Sequence, residues 1–134
     1  MPLIRIDLVE GRSDEQIAAI GDTLMRTLVD VYSLPERDRF QIVTEHPVGR
    51  LTALDVGLGI ERSEQVVIIQ IFTQAGRSTD EKQEFFRTLA ENLAAVGVAG
   101  EDLVIGFVEN GPADWSFGFG RAQYTTGELT TPGN

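Results

Sequence analysis

The second residue of the chain, Pro2, is the first whose type and position suggest chemistry. Initiator methionine is usually removed when proline follows it, and its removal would leave a free secondary amine on the Pro2 ring. Burial favours the neutral form of this amine and nearby carboxylates favour the charged form, so its surroundings decide whether it acts as base, acid or iminium-forming nucleophile. The alternative interpretation is an ordinary strand start, where proline is well tolerated.

An aromatic segment near the C-terminus is the second candidate. Trp115, Phe117 and Phe119 alternate with small residues, so an extended backbone would place the three rings on one face, opposite Gly118 and Gly120. Such a stripe usually packs in a core. Glycine opposite aromatic residues also allows a ligand to approach the backbone closely, which makes this segment a candidate pocket lining.

Two charged positions extend the candidate site. Arg77 ends the segment 73–77, between a predicted strand and a predicted helix, where a guanidinium and the first helical N–H groups can hold an anion. The alternative is a solvated loop arginine. Asp38 lies in a run of mixed charges, residues 35–39, that would normally form a solvated turn. His46 lies in a loop, and we assign it no role.

The composition argues against several classes of function. The 134 residues carry a formal net charge of -10, and this field repels nucleic-acid backbones and anionic membrane surfaces. With no cysteine and one histidine, the chain can form neither disulfides nor a histidine-rich metal site. No signal-peptide pattern and no bilayer-length apolar run occur. The sequence therefore predicts a cytoplasmic protein without nucleic-acid or membrane partners.

The elements that must position these residues follow from the hydrophobic pattern. Residues 3–9 alternate apolar and polar side chains, as a half-buried strand does. Ser13 and Gln16 can form a capping box, and apolar residues follow at spacings of three and four, which predicts a helix over 13–33. Residues 40–44 form a second predicted strand.

The second half of the chain repeats this order, with a predicted strand over 66–73, a helix over 79–96 and a strand over 103–108. The tripeptide Gly-Arg-Ser at 11–13 also recurs at 76–78. A chain that is β-α-β twice over predicts an α+β fold. Two pseudo-symmetric β-α-β units share one four-stranded mixed sheet, and both helices cover one face of that sheet.

We expect a single domain over residues 1–134, with halves at about 2–60 and 65–124 and an extended C-terminal tail from Thr125. The two helices can cover only one face of the sheet. The other face and the sheet edges are therefore left for self-association.

Six segments spread along nearly the whole chain carry a family resemblance. They are Pro2-Leu3, Asp7-Leu8-Val9-Glu10-Gly11-Arg12, Arg39-Phe40-Gln41-Ile42-Val43, Gly57-Leu58-Gly59, Val108-Glu109-Asn110 and Asp114-Trp115-Ser116-Phe117-Gly118. Together they resemble the malonate semialdehyde decarboxylase family of the tautomerase superfamily, whose members use an N-terminal proline. The last segment is fairly specific, whereas a terminal proline alone is shared with relatives of other activities.

The resemblance implies a homotrimer with three pockets, each using Pro2 and needing no metal or organic cofactor. Asp38 matches the family's acidic residue, and Trp115 and Phe117 match its aromatic pocket lining. These residues are therefore predicted site residues.

Two positions depart from the family pattern. Some members carry paired arginines at the end of the third strand, whereas this chain keeps only Arg77, with Gln74 as its partner. Tyr124 stands where an aromatic residue closes the pocket, and its hydroxyl can donate a hydrogen bond that phenylalanine could not. The substrate range can differ accordingly.

The resemblance implies decarboxylation of malonate semialdehyde, a small anionic oxo-acid, to acetaldehyde and carbon dioxide. Pro2 would hydrogen-bond the aldehyde oxygen or form an iminium, and the sequence does not choose between the two. A second interpretation is a tautomerase, hydratase or 3-haloacrylate dehalogenase that acts on small 2-oxo or unsaturated acids. A third is a non-catalytic trimeric interaction module in which the aromatic residues only pack.

Overall fold

A computed structural model describes residues 2–130 of the chain. Its elements, in chain order, are β1 (Leu3–Val9), α1 (Asp14–Tyr32), β2 (Phe40–His46), β3 (Val67–Gln74), α2 (Thr79–Ala94), β4 (Leu103–Asn110) and a short α3 (Gln123–Thr126). Short 3-10 turns at 100–102 and 112–114 flank β4. Within the described residues, every helix is too short or too polar to cross a membrane.

The four strands form one mixed sheet in the order β2-β1-β3-β4. The pairs β1–β2 and β3–β4 are parallel, and the central pair β1–β3 is antiparallel. The two β-α-β halves are therefore related by a pseudo-two-fold axis between β1 and β3. This arrangement confirms the predicted fold class.

The core lies between one face of the sheet and the two long helices. Alternate residues of the central strands point to this face, as the period of two requires. The largest fully buried side chains of the core come from β1, β3, α1 and α2: Ile4, Ile6, Leu8, Val67, Ile69, Ile71, Ile20, Leu24, Leu28, Phe85, Leu89 and Leu93. Both helices thus cover the same face, and the opposite face stays open.

The helices begin where the sequence predicts. Ser13 Oγ accepts a hydrogen bond from Gln16 N at 3.2 Å, and Ser13 N donates to Gln16 Oε1 at 2.8 Å, which completes the predicted capping box of α1. Ser78 and Glu81 form the same box at the start of α2. The repeated sequence therefore produces the same local structure twice.

Several element boundaries differ from the predictions. β3 covers Val67–Gln74 rather than 66–73, α2 ends at Ala94 rather than at 96, and β4 continues to Asn110 rather than ending at 108. β2 continues to His46 rather than Thr44, because parallel pairing with β1 extends to the end of both strands and Glu10 N then donates to His46 O at 2.9 Å. At the other terminus, Thr125 lies in α3 rather than in extended chain. The last residues of the predicted tail, 131–134, lie outside the described residues.

Candidate active site

The sheet register brings the beginnings of two strands and the ends of two others to one end of the sheet. Leu3, the first residue of β1, pairs with Phe40 at the start of β2 and with Phe72 near the end of β3. Gln74 at the end of β3 pairs with Asn110 at the end of β4. We call this the site end, because every predicted site residue precedes or follows one of these strand termini.

Pro2 lies at the centre of the site end. It directly precedes β1, a central strand of the sheet, and it is buried. Its neighbour Leu3 lies between the aromatic residues Phe40 and Phe72. Pro2 is therefore buried at one end of the sheet, and burial favours the neutral form of an amine.

Four aromatic side chains form a continuous aromatic wall, which we define as Phe40, Trp115, Phe117 and Tyr124. Phe117 is the central ring: it stacks on Trp115 with centroids 5.6 Å apart and on Phe40 at 5.8 Å. The Tyr124 ring meets Phe117 edge-on at 5.4 Å. Such stacked and edge-to-face contacts are favourable beyond the area they bury. The structure thus joins three predicted residues and adds Phe40, which the sequence reasoning missed.

Phe119 does not belong to this wall, and the prediction that its ring lies on the same face as Trp115 and Phe117 is wrong. The backbone turns at Gly118, and Phe119 itself has φ +59°. Its side chain is 95% exposed and lies near Arg121, 5.4 Å from the ring centroid. A turn, rather than an extended strand, therefore follows Phe117.

Two amide side chains hold the wall in place. Trp115 Nε1 donates to Oδ1 of Asn110, the last residue of β4, at 2.8 Å. Gln123 Oε1 accepts from Phe117 N at 2.9 Å, and Gln123 Nε2 donates to Gly118 O at 3.1 Å. Sequence reasoning missed both amides, because nothing in their spacing shows that a turn returns Gln123 to Phe117.

Two further predicted residues, Asp38 and Gln74, lie near the Tyr124 side chain of the wall. Burial raises the pKa of Tyr124, and the charge of Asp38 raises it further, whereas Gln74 partly opposes this rise. Burial also raises the pKa of Asp38. The Tyr124 hydroxyl therefore lies close to both side chains.

The Tyr124 hydroxyl and the Gln74 amide nitrogen are buried polar atoms without a hydrogen-bond partner among the described residues. Gln74 is near enough to influence the Tyr124 pKa, but no hydrogen bond of normal geometry joins the two groups. Buried donors of this kind are rare, because leaving one unpaired costs about 1–3 kcal/mol. Both atoms are free to donate to oxygen atoms of a ligand.

Arg77 lies at the site end but contacts the helices. Its guanidinium carbon is 4.2 Å from the centroid of the Tyr32 ring, and Arg77 Nη1 is 3.7 Å from Glu81 Oε2. Its side chain is 22% exposed, so it does not extend into bulk solvent. Within residues 2–130, no hydrogen bond or ion pair connects Arg77 to Asp38, Gln74 or Tyr124.

In the described part of the chain, no three His, Asp or Glu side chains lie close enough together to bind a metal ion. What the site end offers is a buried proline, an apolar wall, a partly buried carboxylate and two unpaired donors. This combination suits a small molecule that carries several oxygen atoms and a short carbon chain.

The chain is similar to known tautomerases along nearly its whole length. Two family models described as tautomerase enzyme match residues 38–118 and 2–59. The chain is 42% identical over 130 residues to the probable tautomerase YrdN of Bacillus subtilis (strain 168), covering 96% of this chain and 100% of that protein. It is also 30% identical to the probable tautomerase YusQ of the same organism, over 92% of this chain and 98% of that protein.

Solved structures extend the comparison. FG41 malonate semialdehyde decarboxylase inhibited by 3-bromopropiolate is 55% identical, with a TM-score of 0.94 over 97% of this chain and 99% of that chain. A second malonate semialdehyde decarboxylase, described with decarboxylase and hydratase activities, is 38% identical, with a TM-score of 0.90 over 96% and 99% of the two chains. A fused 4-OT symmetric trimer, 16% identical with a TM-score of 0.77 over 93% and 98%, shares the fold. The chain belongs to the tautomerase superfamily, in which it is similar to malonate semialdehyde decarboxylases.

Proposed function

We propose that this chain is a cofactor-independent decarboxylase that converts malonate semialdehyde, 3-oxopropanoate, to acetaldehyde and carbon dioxide. The observation that carries the proposal is the pair of buried, unpaired donors, Gln74 Nε2 and Tyr124 Oη, at the end of the sheet where Pro2 is buried. The 55% identity to FG41 malonate semialdehyde decarboxylase supports the choice of substrate.

The proposed reaction depends on an electron sink at the aldehyde. When the bond between the carboxylate and the methylene carbon breaks, its electron pair must pass into the carbonyl π-system. A proton then adds to the former methylene carbon, which becomes the methyl group of acetaldehyde. Protonated Pro2 can stabilise the resulting enolate by donating a hydrogen bond to its oxygen, or Pro2 can form an iminium that becomes an enamine. Asp38 keeps Pro2 charged in the first version and can position a water molecule in either.

The substrate carboxylate needs cationic or hydrogen-bonding partners, because the chain as a whole carries a net charge of -10. We assign this role to Arg77, with the Gln74 amide as its neutral partner. Trp115 and Phe117 present apolar surface to the carboxylate, and such a surface favours departure of neutral carbon dioxide over retention of the charged group. Tyr124 donates its unpaired hydroxyl to a substrate oxygen.

We also propose that the chain forms a homotrimer through the open face of the sheet. The pairing register places Phe40, Ile42 and Val108 on the face opposite the helices, and all three are exposed. Phe40 and Ile42 lie on β2 and Val108 on β4, so exposed apolar residues occur at both edges of a sheet face that no helix covers, and such residues indicate an interface. Sedimentation analysis tests this: we expect three chains per particle, and a monomer at micromolar concentration would contradict it.

A tautomerase is the second candidate function, favoured by the 42% identity to the probable tautomerase YrdN. A tautomerase needs a neutral Pro2 that removes and returns a proton, whereas hydrogen-bond donation needs a charged Pro2. Titration of the Pro2 nitrogen by NMR separates the two. A depressed pKa would favour the tautomerase, and a high pKa would favour decarboxylation.

The direct test of the proposal is an assay of the purified protein with malonate semialdehyde, in which NMR follows acetaldehyde formation. We expect turnover by protein that starts at Pro2 and much slower turnover by the Arg77→Ala variant, mainly through weaker carboxylate binding. Absence of acetaldehyde above the spontaneous rate would reject the proposal. Borohydride reduction during turnover should add mass at Pro2 only if the iminium forms.

A further inference from the structure

We propose that Gln123 is a positioning residue of the candidate site. Its side-chain amide fixes the backbone of Phe117 and thereby the rings of the aromatic wall. The inference deepens the proposed function and rests on it for its kinetic readout. It also has a structural readout that does not depend on any reaction.

The Gln123 side-chain amide makes two hydrogen bonds to the adjacent backbone groups of Phe117 and Gly118. Its oxygen accepts from Phe117 N at 2.9 Å, and its nitrogen donates to Gly118 O at 3.1 Å. These two bonds close a loop from Phe117 to Gln123. A carboxylate in this place would offer only acceptors, and an aliphatic side chain would offer neither donor nor acceptor. The arrangement therefore needs a side chain that both accepts and donates a hydrogen bond, as the Gln123 amide does.

The loop that Gln123 closes has an unfavourable backbone conformation. Gly118, Phe119 and Gly120 have φ values of +148°, +59° and +68°. Positive φ is costly for a bulky residue such as Phe119 and persists only when surrounding contacts hold it. The exposed Phe119 ring does not supply such contacts. Besides the Gln123 amide, the turn has a backbone bond from Arg121 N to Gly118 O at 3.2 Å.

The residue that this amide holds is the centre of the wall. Phe117 stacks on both Trp115 and Phe40, and the Tyr124 ring packs against its edge. Tyr124 also follows Gln123 directly in α3. One side chain thus sets the backbone of Phe117 and adjoins the residue that carries the unpaired hydroxyl. Loss of the Gln123 hydrogen bonds should therefore shift the rings of the aromatic wall and the Tyr124 hydroxyl together.

Two variants separate this role from general stability. Gln123→Met keeps the length of the side chain and removes both hydrogen bonds. Gln123→Glu keeps an acceptor for Phe117 N but places a second oxygen against Gly118 O, until acid protonates the introduced carboxyl. The matched control is Gln16→Met, which loses the amide that accepts from Ser13 N in the α1 capping box, far from the site end.

The structural readout is the fluorescence of Trp115, the chain's single tryptophan. In Gln123→Met we expect a red-shifted emission and acrylamide quenching at least about twofold stronger than in the wild type. The kinetic readout is malonate semialdehyde turnover. We expect kcat to fall about tenfold or more and KM to change less, because a misplacement of about 1 Å can cost about a hundredfold in rate. Gln123→Glu should recover towards wild type as pH falls, and Gln16→Met should change neither readout.

Each outcome decides a separate point. If Gln123→Met leaves Trp115 emission and quenching unchanged, or lowers kcat/KM no more than Gln16→Met does, the inference is wrong. If wild-type protein shows no turnover, the proposed function fails, and the fluorescence comparison alone then decides the inference. Should Gln123→Met not fold, the comparison of Gln123→Glu at neutral and acidic pH supplies the same test within one polypeptide.

Discussion

The site end and the opposite end of the sheet are built from the same repeated sequence and differ in what their polar groups bind. Three residues of the site end have counterparts at the other end 64 or 65 positions away in the sequence. The pairs are Pro2 with Val66, Asp38 with Asp102, and Arg77 with Arg12. The sheet register carries the two sets to opposite ends of the same strands.

At the opposite end, the polar groups mostly satisfy each other. Asp102 is 3% exposed, and its carboxylate accepts from Ser63 N at 2.7 Å and from Ser63 Oγ at 2.6 Å. Arg12 donates to Gln65 O at 3.1 Å through one amino group, while its other amino group is buried and has no partner within residues 2–130. Burial lowers the pKa of Arg12, and the nearby charge of Asp102 opposes that shift.

At the site end, Gln74 and Tyr124 keep unpaired donors beside a carboxylate whose pKa is raised by burial. Val66, the counterpart of Pro2, lies inside the chain and can never present a free amine. The segment over 111–126, which brings the aromatic residues and Tyr124, follows only β4, whereas a loop over 47–66 follows β2. The repeated β-α-β units therefore form the scaffold at both ends of the sheet. The chain terminus and the aromatic segment over 111–126 add the candidate catalytic and binding groups at the site end.

The largest expected difference between the two ends concerns Pro2 and Val66. Pro2→Ala should lower kcat about a hundredfold or more, because an oriented acid, base or nucleophile is lost. Val66→Ala removes buried methyl groups and should cost about 1–2 kcal/mol of stability with kcat unchanged. Turnover assays and urea unfolding of both variants check this. Equal kcat values for Pro2→Ala and wild type would show that Pro2 has no catalytic role.

Substitution of the two aspartates should have different effects. We expect the Asp102 variant to lose mainly stability and the Asp38 variant to lose mainly activity. Asp102→Asn weakens two hydrogen bonds to a buried carboxylate, and we expect a loss of about 2–3 kcal/mol of stability with kcat/KM retained. Asp38→Asn should lower kcat/KM about tenfold to a hundredfold with no loss of stability at pH 7. The same pattern of losses in both variants would show that the two ends do not differ as described.

Stability should also depend on pH through Asp38. Because burial raises its pKa in the folded chain, the folded state holds this proton more tightly than the unfolded chain. The resulting stabilisation is complete below the ordinary aspartate pKa and is lost as pH rises through the raised value. Asp38→Asn should therefore be at least as stable as wild type at pH 7 and should lose that advantage in acid. Urea unfolding at both pH values measures the difference.

The smallest expected effect concerns two hydroxyl groups. Tyr124→Phe removes an unpaired buried hydroxyl, so thermal stability should stay constant or rise slightly while kcat/KM falls about threefold to tenfold. Ser63→Ala removes a hydroxyl that donates to Asp102, so stability should fall with kcat/KM unchanged. Calorimetry and kinetics of the two variants check both halves of this prediction.

The fold was predictable because its signals are local and repeated. The alternation over 3–9, the capping box of Ser13 and Gln16, and the recurrence of the same order after residue 65 indicate the strands, the helices and the doubled β-α-β order. The end of β2 was not predictable, because pairing with β1 rather than the side-chain pattern carries it to His46. Tertiary context decided that boundary.

The site was predictable in its residue types and only partly in its geometry. Trp115, Phe117 and Tyr124 meet as expected, but alternation alone could not show that Phe119 turns away, since a run of positive φ values breaks the extended pattern. Phe40 and Gln123 were missed because their roles arise from contacts between segments. The catalytic assignment of Pro2, Asp38 and Arg77 stays a prediction.

The most direct test of the central proposal compares two preparations of the same chain, one starting at Pro2 and one in which retained Met1 blocks the Pro2 nitrogen. Mass spectrometry identifies each preparation, and NMR follows carbon-labelled malonate semialdehyde. We expect that only protein with a free Pro2 nitrogen releases acetaldehyde and carbon dioxide above the spontaneous rate. Equal rates from both preparations, or no release from either, would contradict the proposed role of Pro2.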